Sequence, residues 1–184
     1  MELINNTSKT LKDDLSVEIK KGSKLSIAAA CFSIYAFQEL KKQLTSIKEL
    51  RFIFTSPTFV AEKTKKEKRE FYIPRLNRER SLYGTEFEIK LRNEMTQKAI
   101  AKECADWIKE KVTFKSNISD KTIQGQLVVD NTGYTPINNF TTVELGCEKG
   151  NVISTTIVKD QSLAQTLIRD FNEIWNDKKV LQEV

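Results

Sequence analysis

Histidine is absent from the 184 residues. A chain without imidazole has no side chain that ordinarily titrates near neutral pH. Ser-His-Asp and Cys-His catalysis are therefore excluded within it, as is a histidine-bound zinc. Cysteine is also scarce: Cys31, Cys104 and Cys147 are far apart, none is in a C-x-x-C pair, and an odd count does not make a disulfide framework. They read as small buried residues in a reducing compartment, with Cys31, inside an apolar run, the clearest case. No metal and no cofactor is expected. Six glycines leave little room for phosphate-cradling loops, and neither G-x-x-x-x-G-K-[ST] nor G-x-G-x-x-G occurs. No apolar run approaches the roughly 20 residues of a membrane-spanning helix. The opening residues, MELINN, lack the basic and apolar regions of a signal peptide. The expectation is a cytoplasmic protein with no membrane partner.

What is present fits one globular domain over residues 1–184, with 39% hydrophobic and 30% charged residues, too apolar for a disordered chain. Residues 10–21 carry Leu11, Leu15 and Ile19 at four-residue spacing, a helix stripe closed by Gly22 as C-cap. Residues 24–32 (KLSIAAACF) are nearly continuously apolar and of strand length, as a central strand buried on both faces should be. A helix over 34–47 with Phe37, Leu40 and Leu44 inside follows, then a strand over 50–55 stopped by Ser56-Pro57. Strand, helix of this length and strand make a βαβ unit with parallel strands.

Residues 96–111 form the cleanest amphipathic helix, with Ile100, Cys104, Trp107 and Ile108 on one face and Thr96 as N-cap. Trp107 reads as a core anchor. Short strands are expected at 112–115, 122–129 and 152–158, with loop chemistry and one further short strand in 131–150. A helix over 161–177 carries Leu163, Leu167, Ile168, Phe171, Ile174 and Trp175 on its apolar face. The tail, 178–184, is mixed in polarity and reads as the end of a piece of something longer.

The net charge is +5, which permits an anionic partner without requiring one. Its distribution is more telling. Lys63, Lys65, Lys66, Lys68, Arg69, Arg75, Arg78 and Arg80 cluster with Phe71 and Tyr72 between them. Lysine and arginine position a phosphate backbone while aromatics stack on bases, so this stretch is a candidate nucleic-acid surface. A solvated charged face is the plainer reading. Glu86 and Glu88 do not nominate a catalytic carboxylate pair over such a face.

Several stretches, taken in order, resemble the phospholipase D-like superfamily. They are FKSN at 114–117, IQGQLVVDN at 123–131, PINNFTTVELG at 136–146 and FNEIW at 171–175. The strands IAAACFS and FIFTSP and the stretch LYGTE at 82–86 look like the same group. The likeness covers nearly the whole chain. It points in particular to the domain at the front of some bacterial SNF2-type superfamily II helicases. It implies an α/β fold: a mixed, largely parallel sheet flanked by helices on both faces.

That superfamily's signature is H-x-K-x-x-x-x-D followed by a G-S-x-N turn, with the histidine attacking phosphorus and the lysine steadying phosphate oxygens. On this chain the histidine falls on Gln124, the lysine on Gln126 and the aspartate on Asn131. The turn falls on Pro136, Ile137, Asn138 and Asn139, two residues nearer than usual, and only Asn139 matches. Glutamine is neither a nucleophile nor a base near neutral pH, and it brings no charge to a phosphorane-like transition state. The resemblance therefore implies a domain that is not an enzyme. It would contact nucleic acid as the accessory part of a longer DNA helicase. The alternative is a protein-interaction module that keeps the family's homodimer interface without phosphodiesterase activity. A live partner motif elsewhere in an attached chain stays open, and Gln124 and Gln126 also read simply as alternate residues on one strand face.

Overall fold

A computed structural model of the chain describes residues 1–56, 97–147 and 156–184. The basic residues Lys63, Lys65, Lys66, Lys68, Arg69, Arg75, Arg78 and Arg80 lie outside the described residues. So do Thr96, Glu86, Glu88 and the 152–155 portion of the expected strand.

The chain begins with a short strand β1 (Glu2–Ile4) and helix α1 (Leu11–Glu18). Thr10 caps α1, its hydroxyl accepting from the Asp13 N–H at 3.1 Å, and Asp13 and Asp14 suit the positive end of the helix dipole. Leu11, Leu15 and Ile19 are all buried, as their spacing requires. Thr10→Ala is expected to lower stability by about 1 kcal/mol in a urea melt, with an unchanged midpoint as the contrary result. Gly22 does not cap α1. Ile19 is already extended, and Gly22 (φ +81°) instead makes the turn into the next strand, its N–H donating to Ser46 O at 2.8 Å.

Strand β2 (Lys24–Ala29) is central and buried from Leu25 onward. The expected 34–47 helix is two pieces, α2 (Ile34–Glu39) and α3 (Lys41–Leu44), broken at Leu40 (φ −116°, ψ 16°). Two carbonyls at the end of this stretch are taken by side chains from the next helix. Trp107 Nε1 donates to Leu44 O at 2.8 Å and Lys111 Nζ to Ile47 O at 2.8 Å. Phe37, Leu40 and Leu44 still face inward. Strand β3 (Glu49–Phe54), helix α4 (Gln97–Lys111) and strand β4 (Val112–Asn117) follow. Then come β5 (Gln126–Val129), β6 (Thr132–Thr135), β7 (Ile157–Asp160), helix α5 (Gln161–Trp175) and β8 (Leu181–Glu183).

Among the described residues the strands form one sheet in the order β1-β7-β6-β5-β2-β3-β4-β8. Only the β2–β3 and β3–β4 pairings are parallel; the others run antiparallel. The expectation of a largely parallel sheet is thus corrected: a parallel centre carries antiparallel flanks. The reason is connection length, since only Asp130 and Asn131 separate β5 from β6, enough for a hairpin and far too short for a crossover.

Helices α1 to α4 cover one face of the sheet over a core centred on Phe32, whose ring lies 5.4–5.6 Å from those of Phe52, Phe114 and Phe140. Helix α5 covers the other, packing Phe171 over Ala28 and Ile53. The buried cysteine is Cys104, whose thiol pKa burial pushes up to about 12, whereas Cys31 is only half-buried because β2 ends before it.

Candidate functional site

Gln124 and Gln126 flank Gly125 at the start of β5, and their environments differ. Gln124 is exposed, its amide donating to Thr135 Oγ1 at 3.3 Å. Gln126 pairs with Ala28 of β2 and is buried, and its Nε2 donates to the Leu167 carbonyl in the middle of α5 at 3.0 Å. Gln126 therefore ties helix to sheet and does not face solvent. Asn131 lies in the β5–β6 hairpin at the other end of the strand, seven residues on, or roughly 20 Å of extended chain from Gln124. Asn138 and Asn139 both donate their backbone N–H groups to Glu144 Oε1, at 2.8 and 3.0 Å. The Asn138 carbonyl accepts from Ala30 N, so this turn sits at the carboxyl end of β2. The structure thus brings Gln124, Gln126 and Asn139 to one end of the sheet and leaves Asn131 at the opposite end.

A cleft of about 580 Å³ opens on the α5 face at the amino ends of β2 and β3. Arg51 is its deepest charge. The guanidinium lies 4.9 Å over the Phe171 ring and 5.6 Å from that of Trp175, and Nη2 donates to Ser26 Oγ at 3.1 Å. Burial lowers its pKa, with Glu49 opposing weakly, and no carboxylate among the described residues comes within ion-pairing distance. Lys24 and Asn131 line the mouth, and Val128 and Ile168 form an apolar wall. Asp130 also lines the cleft, but both of its oxygens are taken, by Ser23 Oγ at 2.7 Å and Lys24 N at 2.9 Å. A second cation, Lys115, lies 4.4 Å over Trp175 and donates to that residue's carbonyl at 2.9 Å. The sequence reading passed over Arg51. Its available signal was a serine and an arginine, in register on neighbouring strands, interrupting otherwise apolar runs.

A third polar cluster is structural. Tyr134 is fully buried and donates to Asp14 Oδ2 at 2.5 Å. Lys159 bridges Asp14 at 3.1 Å and Glu18 at 2.8 Å. The cluster clamps α1 onto β6 and β7. Its members satisfy one another. Among those residues no group of three histidines, cysteines or carboxylates is placed to hold a metal ion, and no helix is long and apolar enough to cross a membrane.

These features define an α/β domain with one open mixed sheet, an arginine-floored cleft and a buried amide where the resemblance places a catalytic lysine. Among known proteins, no family model and no curated protein matches the chain. It is similar to a solved structure of TrmBL2, described as an archaeal chromatin protein that shows a novel mode of DNA binding. The identity is 13% and the TM-score 0.43, over the whole of this chain and 55% of that one.

Proposed function

We propose that this is a phospholipase D-like domain that has exchanged phosphodiester chemistry for nucleic-acid contact, serving a longer helicase-type protein in the cytoplasm. The observation that carries the non-catalytic half of this reading is Gln126. Its amide is committed to a helix carbonyl beneath α5, so it acts as a tie between layers where a phosphate-binding lysine would need a free ammonium. The binding half rests on charge. Between residues 63 and 80 the eight basic residues exceed the three glutamates by five, which equals the net charge of the whole chain. In sequence the segment follows β3, whose carboxyl end lies at the end of the sheet that also carries Gln124 and Asn139. In α/β sheets that end is the usual place for ligands.

The test is a salt titration of binding to short single- and double-stranded DNA, with the wild-type chain and a variant carrying Lys65→Gln, Lys66→Gln, Lys68→Gln and Arg69→Gln. Each phosphate contact removed should flatten the logarithmic salt slope by about 0.9 on duplex and about 0.7 on single strands. Affinity should fall accordingly. Equal affinity and equal slope in the variant would overturn the assignment. A chain that binds no DNA at low salt and sediments as a dimer would favour the interaction module instead.

A further inference from the structure

Arg51 is an ordinary structural arginine in one respect only: its guanidinium face rests on aromatic rings. A guanidinium carries five N–H donors, and Ser26 Oγ is the single acceptor that Arg51 finds among the described residues. None of its nitrogens is sealed from solvent without a partner, so the remaining donors face the cleft. A cation partly withdrawn from water, oriented from below by Phe171 and from the side by Ser26, and with no carboxylate in ion-pairing distance among the described residues, is preorganised for an anion. The cleft volume of about 580 Å³ lies in the range of small-molecule sites.

The other charges narrow the ligand. Lys24 and Glu49 oppose each other at the rim, and Asp130 is occupied by Ser23 and the Lys24 N–H. The formal charges of the lining therefore balance, which disfavours a dianion. Val128 and Ile168 offer an apolar wall against which a ring can lie.

We propose that this cleft binds a small organic monoanion, its carboxylate or phosphodiester oxygens on the free edge of Arg51 and its apolar or planar body against Val128 and Ile168. The proposal does not rest on the basic residues at 63–80 and stands whether or not they bind nucleic acid.

The test uses the whole chain, labelled with nitrogen-15, titrated in turn with benzoate, adenosine cyclic monophosphate and a short oligothymidylate. Saturable shifts at the amides of Ser26, Arg51, Val128 and Ile168 with either small anion are expected, and which one binds identifies the oxyanion. Arg51→Lys keeps the charge but loses the two-pronged geometry, and should weaken binding about tenfold or more. Ile168→Phe fills the wall without touching the charge and should weaken it as well, so the outcome does not hang on one variant's folding. The proposal fails if neither small anion saturates by about 10 mM. It also fails if both variants bind as the wild type does, or if only the oligothymidylate shifts these amides, which would make Arg51 part of a strand-binding surface.

Discussion

Replacing Lys159 with methionine is expected to lower the unfolding free energy by about 2–4 kcal/mol. The lysine side chain is 14% exposed and bridges Asp14, 8% exposed, to Glu18. Methionine preserves the apolar stem but strands the Asp14 carboxylate with the Tyr134 hydroxyl as its remaining close partner. The next cation, Lys9, is 3.8 Å away and substantially exposed. Removing one member of a buried pair is far more damaging than removing both. The double variant Asp14→Leu with Lys159→Met should therefore recover part of the loss. A fall below about 1 kcal/mol for the single variant would place the cluster among solvent-screened surface pairs.

The same cluster sets an alkaline limit. Burial works to lower the Lys159 pKa, but the bonds to Glu18 and Asp14 outweigh it and the pKa is raised above 10.5. Burial and the bond to Asp14 also raise that of Tyr134 above 10.0. Raised folded-state values mean stability that is complete below the unfolded values and disappears as pH climbs through the folded ones. Stability should fall above about pH 10. The Lys159→Met protein should show a shallower fall there, since one of the two groups is gone.

The elements legible in the sequence were those whose pattern repeats within one segment. Leu11, Leu15 and Ile19 marked α1, the unbroken run from Leu25 marked a strand covered on both faces, and Cys104 with Trp107 marked the inner side of α4. Strands of three residues fell below any period. Glu2–Ile4 and Leu181–Glu183 become strands because β7 and β4 offer them open edges, information held elsewhere in the chain. The end of the 34–47 stretch was invisible for a similar reason, because the groups that hold its last carbonyls, Trp107 and Lys111, come from α4. The candidate site divides along the same line. Gln124 and Gln126 stand two apart and looked equivalent, yet only Gln126 lies within β5 under a helix carbonyl. Arg51 and Ser26 gain meaning only from the parallel register of β2 and β3 and from Phe171 some 120 residues on.

Gly125→Ala should be among the most damaging single substitutions available, about 3–5 kcal/mol in an equilibrium melt. Gly125 stands between Gln124 and Gln126, where backbone meets backbone. A Cβ there would lie 1.5 Å from the Ile137 carbonyl oxygen, 2.7 Å from its carbon and 3.3 Å from Ala28 O. No rotamer relieves such a contact, because none of those atoms belongs to a side chain. The Ile137 peptide would have to move, breaking its N–H bond to Gly125 O at 3.1 Å and drawing Ile137 out of the core. The disturbance would not stay local. Asn138 O holds Ala30 N, Phe140 N holds Cys31 O, and Phe140 O holds Ser33 N, the residue that caps α2. The carboxyl end of β2 and the start of α2 are thus fastened to the same loop. Gly22→Ala is the control. Its Cβ would meet nothing within 4 Å, so only the left-handed φ of +81° is strained, and the loss should be about 1–2 kcal/mol. A loss for Gly125→Ala no larger than that for Gly22→Ala would show that the close approach of two backbones is not why glycine stands between the glutamines.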